Sequence, residues 1–261
     1  MSLVDKTFFS RFKDLLVIEN SNNGFDTNID KIKSGNGIDS AIGLSKNQLK
    51  VTPNADSTTT ASVLDADGNT LFLVDSTNDY VKALGNHVNT QFREFGLYDF
   101  SPTQGYHAPM VVSNMMATNG GDLPVGYAGF GGNGTDPATE IDISTAAAIP
   151  KNVLANMWYL QNAITIDEVR VIATCDSSQD LNFHVMGYSL DTSSNHGDLA
   201  AGGLVAHINT VISATTATIK TDTLVIDTAS LAAGLVVVVF VENEGGTGDI
   251  TCQATIKYHL T

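Results

Sequence analysis

The stretch from Ile164 to Leu190, ITIDEVRVIATCDSSQDLNFHVMGYSL, narrows what this chain can fold into more than any other. Ile164, Ile166, Val169 and Val171 supply β-branched apolar positions, and Leu181, Phe183 and Val185 alternate with Asn182 and His184. A period of two sends successive side chains to opposite faces, which is what a half-buried strand requires. Asp176 to Asp180, DSSQD, is turn chemistry, because Asp and Ser side chains bond their own backbone. Two long strands with a tight connection follow.

The rest of the C-terminal half keeps this grammar. Val236 to Val241 is apolar without alternation, so both of its faces need cover. Ile250, Cys252, Ala254, Ile256, Tyr258 and Leu260 alternate with polar residues. Strands are expected near 110–116, 125–130, 139–143, 157–160, 164–174, 180–190, 203–212, 216–227, 235–241 and 249–260, with no helical spacer between them. That pattern predicts an antiparallel jelly-roll-like β-sandwich over residues 111–261. Composition agrees. With 43% hydrophobic and only 16% charged residues, the chain is too apolar for disorder and too poor in charge for exposed helices.

The N-terminal half reads differently. Val4, Phe8, Phe12, Leu15 and Leu16 fall on one face of a helix over residues 2–18, with Ser2 and Asp5 as a capping pair. A short amphipathic helix needs a partner surface, either its own chain or a larger assembly on which residues 1–20 dock. Leu15 to Ile18 could instead open as a strand. From residue 21 to 90, turn signals such as Ser34-Gly35-Asn36-Gly37 and Asp67-Gly68-Asn69 separate short apolar runs. Strands this short bury too little area in one chain to stand alone. Either several chains share a core in an intertwined β stem, or the segment packs as a loose meander on the C-terminal domain. Residues 91–110 carry Phe92, Phe95, Tyr98, Phe100 and Tyr106 among Gly and Pro, a candidate junction between packed units. The whole chain is therefore expected to be mainly β, with a short N-terminal helix.

Charge and cysteine content exclude several functions. The formal net charge is −15, and residues 101–261 hold only four of the 13 cations. A body so poor in Lys and Arg has little with which to grip a phosphate backbone, so no nucleic-acid partner is expected. A stacking platform on the 91–110 aromatics would need interleaved cations, and only Arg93 is present. Cys175 and Cys252 do not make a disulfide framework and read as small buried side chains. Charges interrupt any apolar run in residues 1–20, so no signal peptide is expected. The eight-residue run from Gly234 to Val241 is too short to span a bilayer as a helix.

No catalytic constellation emerges. Asp65-Ala66-Asp67-Gly68-Asn69 places Gly fourth and Ser76 twelfth, unlike a calcium loop, and reads as a hairpin turn. The histidines, His87, His107, His184, His196, His207 and His259, lack ligand spacing, although His184 and His207 could meet across strands. Gly129-Phe130-Gly131-Gly132 lacks the Lys-Ser/Thr of a phosphate cradle. Asp167, Glu168, Asp191, Asp198 and Asp227 are available for glycoside chemistry, but nothing pairs them. No enzyme activity, cofactor or metal is expected.

Two stretches resemble a known family. Ser57 to Asn78 has an apolar strand, a D-x-x-G-N turn at Asp65–Asn69, then Leu71-Phe72-Leu73-Val74-Asp75 and Asn78. It is similar to hairpins of bacteriophage tail-fibre and virion-spike stems. Tyr188-Ser189-Leu190-Asp191, leading through Ser194 to Leu199, resembles the C-terminal jelly-roll domains of phage fibre, spike and decoration proteins. The resemblance implies a structural virion protein, homotrimeric, assembled in the host cytoplasm, attached to capsid or tail proteins by its N-terminus and projecting a β head. The runner-up is a carbohydrate-binding module for host-surface glycans, with Tyr127, Trp158, Tyr159 and Tyr188 as stacking candidates, although Trp158, between Met157 and Tyr159 before a strand, reads as core or interface. The loop from Asp191 to Gly203, with Asp191, Asn195, His196 and Asp198, is the expected contact surface.

Overall fold

In the computed structural model, residues 16–18, 25–34, 36–100, 105–112, 130–132, 135–141, 154–191, 198–208, 210, 212–214, 218–244 and 248–261 are described. The chain divides after Val88 into an N-terminal unit and an Asn89–Thr261 unit. In the first, β1 (Leu16–Ile18), β2 (Asp30–Ser34), β3 (Asp39–Leu44) and β4 (Leu49–Val51) form one antiparallel sheet in chain order. β5 (Ala61–Leu64), β6 (Thr70–Asp75), β7 (Tyr80–Ala83) and β8 (Asn86–His87) form a second. The helix expected over residues 2–18 is corrected at its end: Leu16 to Ile18 pair with Ser34 to Ile32 as a strand. The remainder of that expectation, with Val4, Phe8, Phe12 and Leu15, lies outside the described residues.

Turn chemistry explains the second sheet's hairpins. Asp65 Oδ1 accepts from the amides of Asp67 and Asn69, and Asp65 Oδ2 from Asn69 Nδ2 at 2.9 Å. Gly68 takes φ 85°, which favours glycine. Asp75 repeats the device, accepting from the Thr77 and Asn78 amides and from Asn78 Nδ2. Asn69 and its neighbours hold the Asp65 carboxyl below the usual range; at Asp75, burial pushes upward but the bonds from Asn78, Tyr80 and Thr77 outweigh it. Of the described residues from 25 to 88, only Gly43 and Asp75 are buried. Among the described residues of this unit no apolar side chain is buried.

The second unit is a sandwich. Its strands are β9 (Thr90–Phe100), β10 (His107–Pro109), β11 (Val111–Val112), β12 (Trp158–Tyr159), β13 (Ile164–Cys175), β14 (Gln179–Asp191), β15 (Asp198–His207), β16 (Ile212–Ala214), β17 (Lys220–Thr223), β18 (Val225–Ile226), β19 (Ser230–Leu231), β20 (Leu235–Asn243) and β21 (Ile250–Leu260). One sheet runs β11-β9-β21-β13-β17, the other β10-β20-β14-β15-β18, with β12 continuing the β10 edge of β20. Counting β10 and β12 as one edge strand, and setting β11, β16, β18 and β19 aside, eight principal strands remain. In chain order they pair first-eighth-third-sixth against second-seventh-fourth-fifth, the double Greek key of a jelly roll. Residues 90–100, expected to be a junction, instead form a full strand of this sandwich.

Bulges explain the uneven apolar spacing. Between Ile166 and Glu168 the register to β21 slips by one, so Asp167 is the extra residue and the buried series runs Ile164, Ile166, Val169, Val171. On β9 the slip between Leu97 and Phe100, with Asp99 at φ 49°, gives buried Phe95, Leu97 and Phe100. Phe95, Val169, Val171 and Ile256 from one sheet meet Phe183, Val185, Val237 and Val239 from the other in the main core. The opposite face of β20 and β14 carries Val236, Val238, Phe240, Met186 and Tyr188, packed with Phe130 and Ile141 in a second core. Both faces of Val236–Val241 are covered, as its lack of alternation requires. Among the described residues no helix is long and apolar enough to cross a membrane.

Truncating Phe183, which is fully buried between the sheets, is expected to cost about 3–5 kcal/mol and lower the thermal midpoint of the head, read by calorimetry.

Candidate functional site

Of the residues expected to meet a glycan, Asp191 and Asp198 are brought together as a cross-strand pair. Tyr127, Asn195 and His196 lie outside the described residues. Tyr188 is buried, which corrects its place among the exposed stacking candidates, and Trp158 is buried in the core, as its setting before a strand suggests. Tyr188 faces the second core, donates from its hydroxyl to the Ala138 carbonyl at 2.8 Å, and burial pushes its phenol upward. The sequence alternates correctly there; what it does not announce is a third layer over that face. Asp191 is exposed at the end of β14 and stands in register with half-buried Asp198.

The expected contact loop from Asp191 to Gly203 is corrected in its second half, because Asp198 to Gly203 belong to β15. This half is pinned by residues 139–140: the Ala201 amide donates to Glu140 Oε1 at 3.0 Å and the Gly202 amide to the Thr139 carbonyl at 2.8 Å. A Cβ on Gly202 would lie 2.9 Å from Thr139 Cα and closer still to the Tyr188 ring. No side chain fits at this position.

A polar cluster sits where the apolar run of β20 ends. Glu242 stands opposite His107 on β10 and Asn182 on β14, and His184 stands opposite His207 on β15. His107 Nε2 is 3.5 Å from Glu242 Oε2, with both side chains fully buried. His184 Nε2 is 3.7 Å from Asp136 Oδ1, and the His107 and His184 rings are edge-on at 5.1 Å. The cross-strand meeting of His184 and His207 is thus real, but each turns to its own carboxylate. His207 Nδ1 is 2.7 Å from Asp227 Oδ2. Burial lowers the pKa of His107, opposed by the Gly131 backbone and by Asp136 and Glu244. Burial, with His107 and His207 adding repulsion, brings His184 down to about 3. Both imidazoles are therefore neutral at pH 7. No three groups of this cluster bring ligand atoms together at the spacing of one metal ion.

Chemically these arrangements hold imidazoles in place without a nucleophile. His259 Nδ1 also meets a carboxylate, Asp167 Oδ1 at 3.0 Å. An acyl-transfer triad needs a hydroxyl or thiol on the other ring nitrogen. Among the described residues none bonds His207. Cys175 and Cys252 are free and buried, and burial raises both thiols, Cys252 to about 12.

A concave site lies at an end of the sandwich between its sheets. Gln91 and Arg93 from β9, Tyr258 from β21, and Trp158, Tyr159, Gln161 and Asn162 from β12 and the turn after it line a cleft of about 270 Å³. The Arg93 guanidinium lies 5.3 Å from the Trp158 ring, which is also packed on Tyr258 at 4.8 Å. The Tyr258 hydroxyl donates to Gln91 Oε1 at 2.8 Å. Of these residues, sequence reasoning singled out Trp158 and Tyr159; Arg93, the lone cation among the 91–110 aromatics, was the signal for the rest.

No protein-family model matches this chain, and no curated protein matches it. Among solved structures it is similar to a chain of "Structure of infectious bursal disease virus Gx strain", at 10% identity and a TM-score of 0.26. The match covers 84% of this chain and 38% of that one, so the chain spans well under half of the viral protein's length.

The buried histidines make the head acid-sensitive. Below pH 6.5 the unfolded chain protonates His184 while the folded chain does not until about pH 3, so its stabilising contribution is complete above pH 6.5 and falls with pH. At 1.36 kcal/mol per pH unit, about 2 kcal/mol is lost by pH 5. His184→Gln is expected to flatten that slope between pH 6.5 and 5 in thermal or urea melts.

Proposed function

We propose that this chain is a structural protein of a virion surface, a homotrimer in which copies of the N-terminal unit close a common β stem and the jelly roll forms the head. The observation that carries this reading is the missing core of residues 25–88. Ile38, Leu49, Val63, Leu84 and Val88 are each more than half exposed, while among the described residues of the unit no apolar side chain is buried. Exposed apolar residues so concentrated mark an interaction surface, since single sheets of two to six residues per strand do not hold alone. The hairpin built on Asp65, Asn69 and Asp75 supports the resemblance to phage fibre and spike stems, and a jelly-roll head is an architecture that virion proteins use. In this reading residues 1–20 attach to capsid or tail proteins, and the protein is non-catalytic.

Light scattering on the full chain tests the stem. The expected mass is three times the 27.6 kDa of one chain, and a stable single-chain mass would sink the shared-core argument. Leu49→Lys is expected to split the trimer; on a free surface it would change stability by no more than about 0.5 kcal/mol. Antibody labelling of phage particles in electron micrographs tests the location, and unlabelled particles would remove it.

A further inference from the structure

The cleft at the end of the sandwich carries a cation with no anion. Its lining includes no carboxylate, and among the described residues no salt bridge joins Arg93 to one. The Nε of Arg93 is buried without a hydrogen-bond partner. A buried donor left unmade costs stability, so its retention asks for a ligand or a compensating contact. The Trp158 face compensates the charge but cannot accept the N–H in the plane of the guanidinium. The setting sharpens the point. In a chain of net charge −15, one of few cations is placed in a concave site free of acidic groups. Long-range repulsion by the acidic body means an anion would be held by short-range bonds alone.

The remaining lining defines what carries that anion. Gln161 and Asn162 each offer both donors and an acceptor, the pairing that hydroxyl groups satisfy, and Gln91, whose Oε1 already accepts from Tyr258, adds its amide donors. Tyr159, 53% exposed at the rim, offers an apolar ring face. The volume, about 270 Å³, lies at the small end of ligand sites. We propose that this cleft binds one carboxylate-bearing sugar residue of the uronic-acid class. Arg93 takes the carboxylate, the amides take the hydroxyls and Tyr159 covers an apolar face of the ring. Trp158 is a positioning residue that holds the guanidinium. The inference does not depend on the trimeric stem: mass reads one and sugar binding the other.

Calorimetric titration of the full chain with glucuronate- and galacturonate-terminated oligosaccharides tests it, against the neutral glucose and galactose counterparts and against acetate. Saturable binding of a uronate ligand is expected, weaker by about tenfold or more for the neutral counterpart, since a hydrogen bond to a charged group is worth that much. Arg93→Gln is expected to lose about tenfold and Tyr159→Ala about fivefold, with unchanged elution mass. Should R93Q fail to fold, the double variant Gln161→Ala, Asn162→Ala on the exposed turn carries the same test, with an expected loss of about tenfold. No binding of any uronate ligand, equal binding of neutral sugars, or competition by acetate at the same concentration would each overturn the proposal.

Discussion

The head depends on one strand being buried on both faces. Val237, Val239 and Val241 of β20 pack between the sheets, and Val236, Val238 and Phe240 pack outward under Phe130 and Ile141. Nine residues of β20 register with β14, while β10 and β12 share its other edge. An antiparallel sandwich sheet ordinarily leaves its outer face wet. Here the cover over that face permits the apolar run, and the run forces every polar group at its end into a dry site. Glu242 and Asn243 are both fully buried. Asn182 Nδ2 reaches Glu244 Oε1 at 3.1 Å, and Asn243 donates to Gln179. The histidine cluster is the polar margin of this third layer.

The N-terminal unit has the opposite economy. Its order comes from short-range bonds: Asp65 and Asp75 each hold an Asn three or four residues on, and Thr60 shares a hydroxyl bond with Ser76 at 2.6 Å. Such bonds exchange against water and contribute little net stability each. They fix which residues turn and therefore which apolar residues line up, without supplying the burial that would make the sheets stand. That combination, exact local geometry with open apolar faces, is what a surface completed by other copies requires, and it motivates the trimeric reading.

The long strands β13, β14, β20 and β21 were legible because their alternation runs for many residues or is conspicuously absent. Strand β9 was not. Its bulge at Asp99 moves the third buried residue from position 99 to 100, and the outward Phe92 and Tyr98 imitate a cluster rather than a face. The same kind of slip at Asp167 was harmless, since the residues on either side are unambiguous. Exposure was the least legible property. Alternation says that Tyr188 lies on the face opposite Phe183's neighbours, but whether that face is wet depends on residues 130–141, nearly fifty positions away. The candidate cleft was hidden for a related reason, because its lining comes from β9, β12 and β21.

Burial changes the part an aromatic can take in recognition. A ring that stacks on a ligand must leave one face accessible, and Trp158 has both Tyr258 and Arg93 against it. Its indole packs on the guanidinium instead, and in the proposed site this would restrict the rotamers of a long cationic side chain and lower the entropy lost on binding. Tyr159, the next residue along β12, also lines the cleft and is the exposed one of the pair. In the proposed site the pair would divide two tasks: the buried ring packs on the guanidinium and the exposed ring is left for contact.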